Sequence, residues 1–146
     1  MSVDCNRLQF ILTGEYVVSI TFFIPGAPVE LVAPYADDPE YTEVRPVKPY
    51  IDVNMANSNA HAIMKVIAPF TVDFEYGEWK DDVLDTVIQN TLKALNTNHE
   101  RLTTPTVVDG NFISFGRDVD YVTRRLRDML ELLTVARRYG HSVCYN

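Results

Sequence analysis

The most regular segment of this chain is residues 118–140, which read DVDYVTRRLRDMLELLTVARRYG. Its apolar residues recur every three or four positions, as on one stripe of an α-helix: Val119, Val122, Leu126, Met129, Leu130 and Leu133. Asp118 is a residue type that caps helix N-termini, and the two arginines of the last turn suit the helix dipole. Gly140 is the type that closes many helices in a left-handed conformation. The spacing predicts a long helix over about 118–139.

A second stripe on this helix combines Tyr121, Arg125 and Leu132, which project a quarter-turn or more away from the apolar stripe. An aromatic, an arginine and a leucine side by side are typical of protein interfaces. Alternatively, Tyr121 and Leu132 broaden the core face while Arg125 lays its aliphatic stem across it. Both interpretations remain open from the sequence.

The positive charge of the chain is concentrated near this helix. Six of the 13 Lys and Arg residues lie between Arg117 and Arg138. Residues 1–85 carry 14 acidic and 5 basic residues, whereas residues 86–146 carry 6 acidic and 8 basic ones. Because the guanidinium fork matches phosphate geometry, this local surface predicts an anion site. The alternative is a solvated face on which the arginines pair with acidic residues of the same helix.

Composition excludes several classes of protein. A chain of 146 residues with 47% hydrophobic and 23% charged residues is typical of one globular domain rather than a disordered chain. Its net charge of −7 argues against a nucleic-acid polymer as the partner, since such binders are usually basic. No apolar run reaches the roughly twenty residues of a membrane span, and the acidic N-terminus is unlike a signal peptide. We expect a cytoplasmic protein with no membrane partner.

The remaining chain alternates between strand and helix patterns. Segments rich in β-branched and aromatic residues predict strands at 8–12, 15–24, 50–54, 111–115 and 141–145. Helical spacing predicts two further helices at about 59–67, capped by Asn57 or Ser58, and 80–96. We therefore expect a single α+β domain, in which an N-terminal antiparallel sheet carries C-terminal helices packed on it.

Residues 25–49 interrupt this pattern with six of the chain's 8 prolines. Prolines prevent a helix and discourage a central strand, so the segment is predicted to be an irregular loop. Loops of this length are usually either functional or disordered. Tyr35, Tyr41 and Tyr50 suggest that the loop packs on another subunit of a homo-oligomer.

Motifs for catalysis and metal binding are missing from the sequence. The histidines are scattered at positions 61, 99 and 141, and no P-loop or nucleophile elbow is present. Cys5 and Cys144 lack redox or zinc spacing, although they could meet if the terminal strands are neighbours. We predict no enzyme, no cofactor and no metal site. The enzymatic alternative would use His99, between Asn98 and Glu100, as a base.

The candidate site is the strand, glycine turn and helix start between residues 111 and 127. Backbone amides, arginines and flanking aromatics favour a phosphate beside a base or ribose. The candidate ligand-binding residues here are Asn111, Phe115, Arg117, Tyr121, Arg124 and Arg125. Asn57 and Asn59 either serve the turn before their helix or read the polar edges of a ligand.

Two segments of the chain resemble a known family. The run NMANSNA at residues 54–60 is similar to the NxxNxNA segment of small bacteriophage and prophage proteins. The C-terminal pattern resembles the ending of the same proteins through Gly116, Arg117, Tyr121, Arg125, Leu126, Leu130, Leu133, Ala136, Arg137, Gly140 and Val143. The chain also resembles the anti-Thoeris sponge family, oligomeric phage proteins that sequester cyclic ADP-ribose signals made by bacterial TIR enzymes. The proline-rich segment has no counterpart in this resemblance.

The resemblance implies a non-enzymatic anti-defence protein, acting in the infected host, that holds a cyclic nucleotide at a subunit interface. In that interpretation Arg117 and Arg125 hold phosphates, Tyr121 or Phe115 stacks on a base, and two asparagines, Asn57 and Asn59, bond polar edges. The alternative is a phage structural or assembly protein with no small-molecule ligand.

Overall fold

A four-stranded antiparallel sheet and three helices form the protein in the computed structural model, which describes residues 19–97, 103–105, 107–110, 112–114 and 116–146. The strands are β1 (Ser19–Phe23), β2 (Val29–Val32), β3 (Glu43–Pro46), β4 (Val53–Ala56), β5 (Gly77–Trp79), β6 (Val107–Asp109), β7 (Phe112–Ser114) and β8 (Val143–Tyr145). The helices are α1 (Asn57–Ile67), α2 (Asp81–Leu95) and α3 (Val119–Arg138). The predicted α+β class, with helices packed on an antiparallel sheet, is confirmed.

The four-stranded sheet has the order β4-β1-β8-β5. Strand β1 runs antiparallel to both neighbours, with Ile20 opposite Met55 on one side and Phe22 opposite Tyr145 on the other. All three residues of β8 are buried, as expected for an interior strand. The strands β2 and β3 form one separate hairpin, and β6 and β7 form another.

The core lies between this sheet and the helices. Fully buried side chains come from the sheet (Ile20, Phe22 and Met55), from α1 (Ile63, Met64 and Ile67), from α2 (Leu84 and Val87) and from α3 (Leu126, Met129, Leu132 and Leu133). Burying one such side chain stabilises the fold by roughly 1.5–3 kcal/mol relative to leaving it exposed. Three aromatic rings of the sheet, Phe22, Trp79 and Tyr145, pack with centroids 5.1–5.7 Å apart.

Helix α3 follows its predicted bounds closely. The Asp118 carboxylate accepts a hydrogen bond from the Tyr121 backbone amide over 2.7 Å and so caps the N-terminus. At the other end Gly140 has φ +71°, and the amide of His141 donates to the carbonyl of Ala136 over 2.8 Å. This is the six-to-one bond of a Schellman ending. No helix among the residues described here is long and apolar enough to cross a membrane.

The burial of α3 resolves part of the ambiguity about its second stripe. Leu132 is fully buried and Tyr121 is partly buried against the core, so the core face is broader than the first stripe alone. Conversely, Val119 at the start of the predicted apolar stripe is 50% exposed. The interpretation in which Arg125 lies across the edge of a broad core face therefore describes this helix better.

Two predicted features differ from the structure. Helix α1 begins at Asn57 with Ala56 as its N-cap and no side-chain cap, so the prediction that Asn57 or Ser58 caps it is wrong. Within residues 25–49, predicted to be irregular, strands β2 and β3 pair as a hairpin. The prolines do not prevent this pairing, because a two-stranded hairpin contains only edge strands and Pro46 lies at the end of one.

Some predictions concern residues outside those that the structure describes. These are the strand at 8–12, the first part of the strand at 15–24, the proposed base His99, and the approach of Cys5 to Cys144. They stay predictions.

Candidate anion-binding site

Asn59 in the first turn of α1 joins two residues from the start of α3. Its side-chain oxygen accepts a hydrogen bond from Nη1 of Arg117 over 3.0 Å, and its amide nitrogen donates to the Tyr121 hydroxyl over 3.1 Å. An arginine can only donate, so these two bonds fix which way the amide points. The same Arg117 nitrogen lies 3.4 Å from the carbonyl oxygen of Ser58. Asn59 lies 58 positions from Arg117 and 62 positions from Tyr121 in the sequence. These three residues form one cluster, hereafter the Asn59 cluster.

Arg125 extends the Asn59 cluster one helical turn further along α3. Its Nη1 contacts the Asp128 carboxylate over 3.0 Å, and its Nη2 donates to the backbone carbonyl of Asn54 on β4. The side chain is only 24% exposed, and its Nε is buried with no hydrogen bond among the described residues. Burial disfavours the charged guanidinium, but Tyr121 and Asp128 outweigh this effect and raise the pKa of Arg125. Arg125 is therefore a permanent, partly buried cation.

The ring of Tyr121 lies beside two guanidinium groups. The Cζ atoms of Arg124 and Arg125 are 5.6 and 5.8 Å from its centroid. Contacts of this kind contribute about 0.5–1 kcal/mol at exposed positions and more where water is excluded. Arg124 is exposed and Arg125 is half-buried. Tyr121 is therefore the aromatic centre of the site, and the positive charge of Arg124 lies beside it on the protein surface.

The backbone of Arg117 is held by a loop that precedes α3 in sequence. The Arg117 amide donates to the Thr104 hydroxyl, and the Thr104 amide donates to the Arg117 carbonyl, each over 2.8 Å. The preceding residue must be a glycine, because a Cβ atom on Gly116 would overlap the Thr104 carbonyl oxygen and the backbone of Pro105. Close contact with the backbone of residues 104 and 105 therefore fixes the position of the Arg117 backbone.

The structure brings together five of the eight predicted ligand-binding residues: Asn59, Arg117, Tyr121, Arg124 and Arg125. Asn57 lies in the first turn of α1, partly buried, and its contact with a ligand stays a prediction. Asn111 and Phe115 lie outside the described residues.

Sequence reasoning missed two partners of the site, Thr104 and the carbonyl of Asn54, which no local pattern would indicate. Asp128 could be anticipated, since it lies three residues after Arg125 on the helix, where ion pairs form. The alternative in which arginines pair with neighbouring acids is thus correct for Arg125. Arg137 pairs with Asp85 of α2 through contacts of 2.7 and 3.1 Å, so it joins two helices rather than belonging to the Asn59 cluster.

A cavity of about 350 Å³ lies elsewhere, between the end of β1 and the β2–β3 hairpin. Most of its lining residues are apolar in type, including Phe23, Ile24, Val29 and Val44, but polar atoms form more of its exposed wall than apolar atoms do, and its charged residue is Asp52. A recess whose charged group is a carboxylate does not suit a phosphate. This cavity is a different feature from the predicted anion site.

Metal ligands are not grouped in the part of the chain that the structure describes: no three His, Cys, Asp or Glu side chains there could share an ion. Comparison with protein-family models, with curated proteins and with solved structures finds no match for this chain.

Proposed function

We propose that the protein binds a small phosphate-bearing nucleotide, of the cyclic ADP-ribose type, at the Asn59 cluster and retains it without cleaving it. The observation that carries this proposal is the convergence of Asn59, Arg117, Tyr121 and Arg125 from two helices and the turn before α3. The cyclic ADP-ribose type rests on the resemblance to the phage sponge family. In that setting, retention would remove a defence signal from the infected bacterium.

Arg125 is the best-prepared phosphate ligand of the cluster. A guanidinium has five N–H donors, and Arg125 uses one on Asp128 and one on the Asn54 carbonyl. These contacts hold the side chain in one orientation, which lowers the entropy lost when an anion binds. A charge-assisted hydrogen bond to phosphate then contributes roughly 1.5–3 kcal/mol.

The exposed Arg124 and the bridged Arg117 extend the positive surface on either side. Arg124 supplies exposed charge beside Tyr121, whereas Arg117 is oriented by Asn59. In the proposal a base stacks on the partly buried Tyr121 ring in place of the exposed Arg124 guanidinium, whose Cζ now lies 5.6 Å from the ring centroid, and stacking of this kind contributes about 1–3 kcal/mol per base. The cluster thus pairs phosphate recognition with base recognition within one helical turn.

The chemistry of these groups supports the proposed retention without cleavage. Guanidinium, carboxamide and phenol side chains donate hydrogen bonds but are poor proton acceptors near neutral pH. Such a set can stabilise a bound anion, and the carboxylate of the site, Asp128, is already paired with Arg125, so we expect the phosphodiester or pyrophosphate bonds of the ligand to stay intact.

Isothermal titration with cyclic ADP-ribose isomers and cyclic oligonucleotides tests the proposal. We expect Arg117→Gln and Arg125→Gln to weaken binding tenfold or more, about 1.4 kcal/mol each. Arg127→Gln is the matched control, since Arg127 is an exposed arginine of the same helix whose loss removes the same charge. Chromatography of the ligand after incubation should return it unchanged.

Three outcomes would overturn the proposal. The first is that the wild-type protein binds no member of this panel. The second is that Arg127→Gln weakens binding as much as Arg117→Gln, which would indicate diffuse attraction rather than a site. The third is the release of a product, which would make the protein an enzyme.

A further inference from the structure

The β2–β3 hairpin has one apolar and one charged face. Its register places Val29 opposite Pro46 and Leu31 opposite Val44. Because successive residues of a strand point to opposite sides, these four residues share one side, hereafter the hairpin face. Glu30, Glu43 and Arg45 lie on the other side, where Glu43 and Arg45 form an ion pair of 2.8 Å. Such a pattern normally turns its apolar side towards a core.

The hairpin face is nevertheless exposed to solvent. Val29 is 60%, Leu31 71% and Val44 63% exposed. Single exposed apolar residues are ordinary, but three neighbours on one side of an amphipathic hairpin mark an interaction surface. The cavity of about 350 Å³ opens beside them, with Val29, Val44 and Pro46 in its wall. One continuous surface therefore carries a protruding leucine and a recess.

We infer that the hairpin face packs against the same face of a second copy of this chain around a two-fold axis. A two-fold interface uses the same patch twice, so that patch needs both a protrusion and a matching recess. Leu31 is the protrusion, and the recess at the base of the hairpin is larger than a leucine side chain. In this arrangement Leu31 of each copy enters the recess of the other.

The charges of the segment fit this arrangement. For Leu31 to reach a recess at the hairpin base, the two hairpins must cross antiparallel, with each tip over the partner's base. The connection between β2 and β3 carries Asp37, Asp38 and Glu40, whereas Lys48 is exposed just after β3. The crossing brings carboxylates of one copy towards Lys48 of the other, while Asp52 at the same base leaves that end of the hairpin with one charge of each sign. The same carboxylates would repel nucleic acid or an anionic membrane.

Sedimentation velocity over a range of concentrations tests the inference. We expect the wild-type protein to be a dimer and Leu31→Asp to weaken it by a hundredfold or more, because the new carboxylate would replace an apolar contact and enter a recess that already holds the carboxylate of Asp52. Val72→Asp is the matched control, since Val72 is 99% exposed outside the hairpin, and it should leave the dimer unchanged. Circular dichroism melting checks that both variants fold.

A charge exchange makes the test specific for the antiparallel crossing. Lys48→Glu should weaken the dimer about tenfold, and adding Asp38→Lys should restore most of the loss. A monomeric wild-type protein, a dimer that persists in Leu31→Asp, or a stoichiometry other than two would overturn the inference. It uses a different surface from the Asn59 cluster, so nucleotide titration and sedimentation can fail independently.

Discussion

Asn59 and Tyr121 are 62 positions apart in sequence, and a 3.1 Å hydrogen bond from the Asn59 amide to the Tyr121 hydroxyl joins α1 to α3. The other end of the same amide holds Arg117 at 3.0 Å. One short side chain therefore sets the positions of an aromatic ring and a guanidinium group relative to each other.

Replacing either partner of this bond should destabilise the fold. We expect Tyr121→Phe to lower the free energy of unfolding by about 1 kcal/mol, and Asn59→Ala by about 1–2 kcal/mol, because the latter also removes the bond to Arg117. The double variant should lose less than the sum, since both changes remove one shared bond. Urea denaturation measures all three values, and strictly additive losses would contradict the coupling.

The N-cap of α3 should be worth a measurable amount of stability. Asp118→Ala removes the acceptor of the Tyr121 amide and should cost about 1 kcal/mol. Asp120→Ala is the control, because Asp120 lies in the same first turn and helps only through the helix dipole. Thermal melting should show the larger loss for Asp118→Ala. Equal losses would mean that charge near the helix end, rather than the cap, matters.

Gly116 should tolerate no side chain. Gly116→Ala would force the Thr104 carbonyl or the α3 start to move, at a cost of roughly 1–3 kcal/mol, and would displace Arg117. Nucleotide affinity should fall together with stability. Gly140→Asn at the other end of the helix is the control: a Cβ there has no neighbour within 4 Å, and asparagine accepts the positive φ. If Gly116→Ala unfolds at the same denaturant concentration as the wild-type protein, the close contact between Gly116 and residues 104 and 105 is refuted.

The raised pKa of the Tyr145 hydroxyl should make the folded protein less stable at high pH. Burial, and then the nearby carboxylate of Asp73, raise the pKa of Tyr145 to about 12. An unfolded chain ionises its tyrosines near pH 10, so between pH 10 and 12 the folded state holds a proton that the unfolded state has lost. The stabilisation is complete below pH 10 and disappears as the pH rises through 12.

The measurement compares denaturation at several pH values between 9 and 12. Tyr145→Phe keeps the ring but cannot ionise, so its stability should fall less steeply than that of the wild-type protein over this range. It also loses the 2.8 Å bond to the Asp73 carbonyl and should start from a lower value at neutral pH. Parallel pH profiles would show that other groups dominate.

Local patterns account for what could be predicted from the sequence. Helix α3 follows from apolar spacing, an aspartate at its start and a glycine after its end, all of which act within a few residues. The proximity of Arg117, Tyr121 and Arg125 also follows from local sequence, because they are spaced four residues apart at the start of one helix. The sequence indicates Asn59 only as one of the asparagines in the NMANSNA run at residues 54–60. Its role depends on the tertiary fold placing the start of α1 beside the start of α3, which no spacing within either segment encodes.

The segment between residues 25 and 49 shows where single-residue rules mislead. Proline argues against central strands, yet β2 and β3 pair only with each other and tolerate it at their ends. Likewise, asparagine and serine are good N-caps, but β4 runs directly into α1, so Ala56 occupies the cap position. In both places the neighbouring strand, rather than residue preference, determines the outcome.

Strand β8 enters the sheet between β1 and β5, although it follows all three helices in the chain. Within the described residues, β1 and β5 therefore belong to one sheet only because residues 143–145 lie between them and pair with both. On a translating ribosome the helices can form as they emerge, whereas the two halves of the sheet must wait for this strand. A nascent chain stalled before residue 143 would expose unpaired strand edges, which can pair with other chains and so promote aggregation.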